Sequence, residues 1–231
     1  MTARFIVLEA IDLAGKTTQI NALADVLRSR GLSVATVAYP DRRAKLTGDL
    51  IERFLIGTLP LVADPEGDPI GQMLAGQVIF SLNRREVAAR LTALLDRHDV
   101  VLSSRYQLAG RVYAEAGGVQ PAAITRIHAE LEGDLTRPDL TLVMDLDPAS
   151  VVDRPRDGGL DMFERDRTLQ ARVRAAYRRI AVYDPSVRII DGSGTPDVVT
   201  TRFLAVIDGV FPSLAKRALQ TQKASTASEK R

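Results

Sequence analysis

Along this chain short apolar runs alternate with longer stretches of helical period, and each run ends in a loop. Residues 4–10 (RFIVLEA) are apolar and rich in β-branched types, predicting a strand, a loop and then a helix over 15–30. Gly31 is placed to close that helix in a left-handed conformation. Residues 33–39 (SVATVAY) predict a second strand, stopped by Pro40. Helical patterns over 42–55 and 72–97 lead to a buried strand at 100–103, a fourth at 140–146 (LTLVMDL) and a last one at 188–191. Further helices are predicted at 170–182, at 196–207 and in the remaining gaps. Strands alternating with helices predict a single α/β domain whose parallel sheet is covered on both faces. Residues 58–69, with three Pro, and 154–167, with eight charges in fourteen residues, read as surface loops. The polar end of the chain is short of large apolar residues, so the domain is assigned to 1–213 and a disordered tail to 214–231.

Composition narrows the function. At 231 residues, folding buries roughly 70–75% of the unfolded chain's surface, so no staple is needed. The absence of Cys excludes a disulfide framework, a thiolate zinc site and a Cys nucleophile, and fits a reducing cytoplasm. His98 and His128, the two histidines, are too far apart in sequence to suggest a metal cage. The net charge of +2, from 31 basic and 29 acidic residues, does not point to nucleic acid. No apolar window reaches about 18 residues, and Glu9 interrupts the opening apolar run, so neither a membrane span nor a secretory signal is expected. Anionic small substrates remain open, and the cytoplasm is the expected compartment.

The strongest chemical signal is Glu9-Ala10-Ile11-Asp12-Leu13-Ala14-Gly15-Lys16-Thr17-Thr18, set between the first strand and the first helix. That is where a phosphate-binding loop belongs. Ala10, Ile11, Leu13, Ala14, Gly15, Lys16, Thr17 and Thr18 are the candidates to hold a nucleoside triphosphate. Gly15 lets the backbone approach phosphate, Lys16 reaches the outer phosphates, and the Thr17 hydroxyl suits Mg²⁺. Ala10 stands where the pattern has Gly, a substitution that costs about 1 kcal/mol or more only if the position needs positive φ. The competing reading is a helix start in which Gly, Lys and Thr coincide.

From Asp12 onward the signal becomes more specific. Residues 5–19 (FIVLEAIDLAGKTTQ) closely resemble the opening of the thymidylate kinases, a family of nucleoside-monophosphate kinases. Tyr39-Pro40-Asp41-Arg42 resembles that family's Phe-Pro-x-Arg, and Phe80-Ser81-Leu82-Asn83-Arg84 its Phe-x-x-Asn-Arg. Ser104-Arg105-Tyr106 resembles Asp-Arg-Tyr, with Tyr113 at the spacing of a further family tyrosine. Arg137-Pro138-Asp139-Leu140 resembles the entry to the fourth strand, Asp161-Met162-Phe163-Glu164 the lid motif Asp-Arg-Phe-Glu, and Asp191-Gly192-Ser193 the segment near the donor base. The similarity spans roughly residues 4–210 in the expected order.

The resemblance implies a P-loop sheet of about five strands in order 2-3-1-4-5 with a lid near residues 152–168. It also implies a homodimer, through the helix around 72–97, and transfer of the γ-phosphoryl group of ATP to dTMP with Mg²⁺. It makes Asp12 the partner of the sugar 3′-hydroxyl, Arg42 and Arg105 a clamp on the acceptor phosphate, and Phe80 a platform for the base. Arg84 then contacts the base or supports its phosphate, and Arg154 or Arg156 covers the transferring group. Lys16, Arg105, Asp12 and Arg156 are the catalytic candidates; Asp12, Arg42, Phe80, Arg84, Arg105 and Tyr113 the acceptor-site candidates. Such chemistry needs positioning and positive charge and no covalent nucleophile, and an Arg fork suits two phosphate oxygens. The competing readings are Phe80 as core, Asp12 as a helix cap, and the 154–167 cluster as a solvated loop.

Several positions depart from the family. Ser104 replaces an acidic residue that helps organise Mg²⁺, a loss for which Glu9 is a candidate replacement. Met162 replaces the lid arginine, with Arg156 or Arg165 as substitutes, and Leu13 stands where one branch carries a loop arginine. Ala109 and Ala114 replace polar residues expected near the base, which keeps open an altered base preference. Ser104 and Met162 together keep open a weakly catalytic nucleotide-binding protein.

Overall fold

In a computed structural model that describes residues 3–151 and 160–215, the chain forms five parallel strands wrapped by helices. The order along the chain is β1 (Arg4–Ala10), α1 (Lys16–Ser29), β2 (Val34–Ala38), α2 (Gly48–Leu55), α3 (Pro69–Glu86) and α4 (Ala88–Leu95). Next come β3 (Val100–Ser104), α5 (Gln107–Ala116), α6 (Pro121–Glu132), β4 (Leu140–Asp145), α7 (Met162–Arg165), α8 (Arg167–Tyr183), β5 (Val187–Asp191) and α9 (Pro196–Val210). The sheet order is β2-β3-β1-β4-β5, as expected. Arg4 pairs with Val100 on one side of β1, and Ile6 with Leu140 on the other.

Alternation along β1 sends side chains to two cores. Ile6, Leu8 and Ala10 pack with Leu23 and Leu27 of α1 and Phe203 of α9. Phe5 and Val7 face the opposite layer with Tyr106 and Leu91. Both faces of a parallel sheet are buried, so its strands read as near-continuous apolar runs. The helices that follow β1 and β3 cover different layers: α1 packs on α9, and α5 on α8. Between the carboxyl ends of these adjacent strands a crevice opens, which is where open α/β sheets bind ligands.

Three expectations are corrected. The helix predicted over 42–55 begins only at Gly48. Asn83 bonds both the amide and carbonyl of Asp41, and Glu86 takes the amides of Leu46 and Thr47, so tertiary bonds hold this backbone outside a helix. A Cβ at Gly48 would stand 2.3 Å from the Arg42 carbonyl oxygen, so this turn requires glycine. The helix predicted over 72–97 is two, parted at Val87. Leu214, assigned to the tail, is 2% exposed within the α1–α9 core, so the packed domain runs past 213.

Ala10 lies at the end of β1, opposite Met144, and is fully buried. Positive φ falls instead on Leu13 (61°) and Gly15 (93°). The missing motif glycine therefore costs nothing here. Ala10→Gly, although it restores the pattern, will destabilise the protein by roughly 0.5–1 kcal/mol, read as a lower urea midpoint.

Candidate active site

The loop from Ile11 to Gly15 joins β1 to α1 and begins one wall of a cavity of about 460 Å³, within the range of small-molecule sites. Gly15 caps α1 with no side-chain hydrogen bond, and the first turn of α1 carries no acidic residue. The helix amides and their partial positive charge are thus open to an anion. Lys16 folds back inside the loop, its Nζ donating to the Ile11 carbonyl at 2.7 Å and the Ala10 carbonyl at 3.4 Å. Leu13, Gly15, Lys16, Thr17 and Thr18 line the cavity, whereas Ala10 and Ile11 are buried in core and shape the loop from beneath.

β3 delivers the opposite wall. Arg105, just past its end, is left-handed at φ 63°, a conformation costing an Arg about 1–2 kcal/mol. Its amide bonds the Leu8 carbonyl at 2.9 Å, and Ser103 Oγ donates to its carbonyl at 2.6 Å. These bonds turn the guanidinium into the cavity, where it meets Asp12 Oδ1 and, at 3.3 Å, the Tyr113 hydroxyl. Asp12 Oδ2 accepts from Tyr113 Oη at 2.7 Å and from Gln170 Nε2 at 2.9 Å. Asp12 is therefore no helix cap: it is the centre of a network joining the phosphate loop, α5 and α8.

Charge is concentrated here. Burial alone would raise the Asp12 carboxyl, but Arg105 and Lys16, with the bonds from Tyr113 and Gln170, bring it down to about 2. Burial and the nearby Arg105 lower the Lys16 ammonium to about 7, against the pull of Asp12, Glu9 and Glu164. An anionic phosphate arriving beside Lys16 restores its proton.

The remaining candidates vary in placement. Arg42 lines the cavity from the β2 side, half-exposed and paired with Glu52. Phe80 lines it too, edge-on to Phe54 at 5.9 Å, so it belongs both to the wall and to the core behind it. Arg84 is 4% exposed and held by Glu132 through Nε at 3.0 Å. Asp161 and Glu164, also on the wall, form the capping box of α7. Gln170 Nε2 bonds the Phe163 carbonyl at 2.9 Å, tying that segment to Asp12. Arg154 and Arg156 lie outside the described residues.

Two substitutes proposed from sequence are not placed for their tasks. Glu9 is fully buried, its Oε1 accepting from the amides of Tyr106 and Ala109 and its Oε2 from Tyr177 Oη. It supports the turn after β3 and does not replace the acid missing at Ser104. Arg165 points its Nε to the Leu160 carbonyl at 2.6 Å, off the cavity wall. Ala114 is core, while Ala109 lines the cavity. Gln170 and Gln77 were missed by the sequence reading. Their signal was a polar residue at a core-facing helical position, Gln170 with Val173 and Tyr177, and Gln77 with Met73.

A parallel sheet of this order, with an uncapped phosphate loop facing an arginine- and carboxylate-lined cleft, defines a P-loop phosphotransferase of the nucleoside-monophosphate kinase kind. The family model of thymidylate kinase matches residues 8–202. The thymidylate kinase of Jannaschia sp. (strain CCS1) is 33% identical over 216 residues, covering 90% of this chain and 97% of that protein. That of Shewanella loihica is 31% identical over 209 residues, covering 89% and 95%. A solved thymidylate kinase from Candida albicans superposes with a TM-score of 0.70 at 28% identity, covering 94% of each chain. The chain belongs to the thymidylate kinase family.

Proposed function

We propose that the protein transfers the γ-phosphoryl group of ATP to dTMP, giving dTDP and ADP. The observation that carries this reading is one cavity running from the phosphate loop, past Arg105 and Asp12, to Phe80 and Arg84. Lys16 and the α1 amides hold the donor phosphates, and Thr17, exposed on the cavity wall, would hold Mg²⁺ through its hydroxyl. Mg²⁺ keeps most of its coordination for phosphate and water, so one hydroxyl is an adequate protein anchor. Bound there, the ion neutralises charge on the donor phosphates.

Arg105 and Arg42 hold the acceptor phosphate in line with the donor, and the forks supply the positive charge that the transfer develops. Asp12 stays ionised at any working pH, and its Oδ1, engaged by Arg105 alone, keeps an acceptor site for the sugar hydroxyl. Tyr113 and Gln170 fix its orientation. Phe80 offers a ring to the base, and Arg84 offers donors to its edge. The lid assigned to 152–168, with Arg156, completes the cation set in this reading.

No helix among the described residues is long and apolar enough to cross a membrane. The same reading gives a cytoplasmic homodimer, supported by exposed Ile70 and Leu82 on α3. The test is ADP release from ATP and Mg²⁺ with dTMP, dUMP, dCMP, dGMP or dAMP, with Lys16→Ala as the blank. Turnover highest on dTMP and absent in the blank is expected; binding without turnover on all five overturns the reading.

A further inference from the structure

At the end of the cavity remote from the phosphate loop, one buried polar group keeps an unused hydrogen-bonding site. Gln77, on α3, is 1% exposed and lines the cavity. Its Nε2 donates to Met73 Sδ at 3.7 Å, while its Oε1 accepts from no protein group. A buried amide oxygen without a donor forfeits its hydration with nothing in return, and such a group calls for a specific explanation.

Gly110, on α5, leaves the approach to that oxygen clear. A Cβ there would stand 3.0 Å from Gln77 Oε1 and 3.1 Å from Arg84 Nη2. Gly110 and its neighbour Ala109 line the cavity with no polar side-chain atom, and the hydroxyl of Tyr113, also on α5 and on the wall, is taken up by Asp12 and Arg105. Arg84 supplies donors only, and its Nε and Nη2 are engaged by Glu132 and Ser81, which leaves Nη1. Three buried side-chain atoms among the described residues have no partner, Gln77 Oε1, His128 Nε2 and Glu132 Oε2, and of these residues Gln77 is the one on the cavity wall, so an acceptor for a base N–H falls to it.

We propose that Gln77 is a specificity-determining residue: its Oε1 accepts the N3–H of a thymine or uracil ring while Arg84 donates to the adjoining O4 carbonyl. Cytosine presents a lone pair at N3 and an amine at C4, so both contacts oppose it. Discrimination comes from pairing a buried polar group in one case and leaving it unpaired in the other. The proposal rests on the cavity being a pyrimidine-monophosphate acceptor site.

The test is kcat/KM for dTMP and dCMP with the wild-type protein, Gln77→Met and Gln77→Glu. Gln77→Met keeps the length of the side chain and removes the strong acceptor; Gln77→Glu keeps an acceptor. Expected for Gln77→Met is a loss on dTMP of roughly 10- to 100-fold, mostly in KM, with dCMP changed by less than about threefold. Gln77→Glu keeps the preference for dTMP. An unchanged dTMP to dCMP ratio in Gln77→Met overturns the proposal. A probe that needs no variant is N3-methyl-dTMP, which the wild-type protein is expected to use at least about tenfold less well; equal use overturns the proposal. A wild-type protein that turns over no monophosphate fails the kinase reading, and the inference with it. An active dTMP kinase with an unaltered ratio fails the inference alone.

Discussion

Replacing Arg105 by methionine will lower kcat/KM for dTMP by at least about 10³-fold, the scale on which an arginine acting on a transferring phosphoryl group contributes. Arg105 lies between Asp12 and Tyr113 on the wall that faces the phosphate loop. In the proposed reading its loss removes the acceptor clamp, and it leaves Lys16 as the other cation that lowers the Asp12 carboxyl. Breaking a buried pair destabilises by about 3–5 kcal/mol, so Arg105→Lys is the companion variant. It restores charge and much of the stability, yet lacks the two-pronged geometry, and kcat/KM stays at least about 10²-fold down. Wild-type activity in a folded Arg105→Met protein, judged by its melting curve, sinks the assignment.

The same variant has a pH signature. In the wild-type protein the Asp12 carboxyl is lowered to about 2 from an ordinary 3.8. The stability this gives is fully present above about pH 4 and is lost as pH falls through 2. Arg105 is the first of the groups that lower it, so in Arg105→Met the carboxyl moves upward and the acid limb of stability flattens. Urea midpoints from pH 2 to pH 5 will show this as a smaller slope.

Lys16→Met carries the second large effect, and its two readouts run in opposite directions. Turnover falls by at least about 10²- to 10³-fold, the scale of losing one donor to the transferring group. The nucleotide-free protein, however, gains about 1 kcal/mol, roughly 2–4 °C in Tm at this chain length. Lys16 is 8% exposed, and its ammonium falls from 10.5 to about 7 because burial and Arg105 oppose the charge. A folded pKa below the unfolded one means that the folded state binds fewer protons between pH 7 and 10.5. Wild-type stability therefore rises with pH through that window, and the penalty is fully present below pH 7. The variant's advantage is greatest there and shrinks as pH approaches 10.5. Nucleotide binding at pH 8 will take up a proton in the wild-type protein and none at this site in Lys16→Met, as calorimetry in buffers of different ionisation enthalpy will show. A variant that melts lower than wild type at pH 6.5 overturns the electrostatic account.

Most of the fold was legible in the sequence because its signals are local. The run RFIVLEA bounds β1 at the observed residues, and a period of two over a doubly covered sheet leaves few alternatives. Gly31, read as a left-handed terminator, has φ 80°. The same local logic overextended the helix before Gly48, where the segment's own period was right but Asn83 and Glu86, some 40 residues away, took its backbone groups.

The chemistry divides along a similar line. Lys16, Asp12, Arg42, Phe80, Arg84, Arg105 and Tyr113 were nameable because their motifs are contiguous, and all line one cavity. Gln170 and Gln77 belong to no motif. Each became visible only when α8 or α3 brought its polar end against a wall formed by distant residues.

By itself the sequence determined the order of elements, the strand-to-helix phosphate loop and the identity of the charged groups, all properties of neighbours along the chain. Only the tertiary structure decided that Asp12 is bound by Arg105, Tyr113 and Gln170 instead of capping α1, that Glu9 is sealed beneath the turn after β3, and that Ala10 is an unstrained strand residue. The reason is physical: hydrogen bonds and charge pairs act over a few ångströms in space, and which residues lie within that reach is set by the packing of the sheet and its two helical layers.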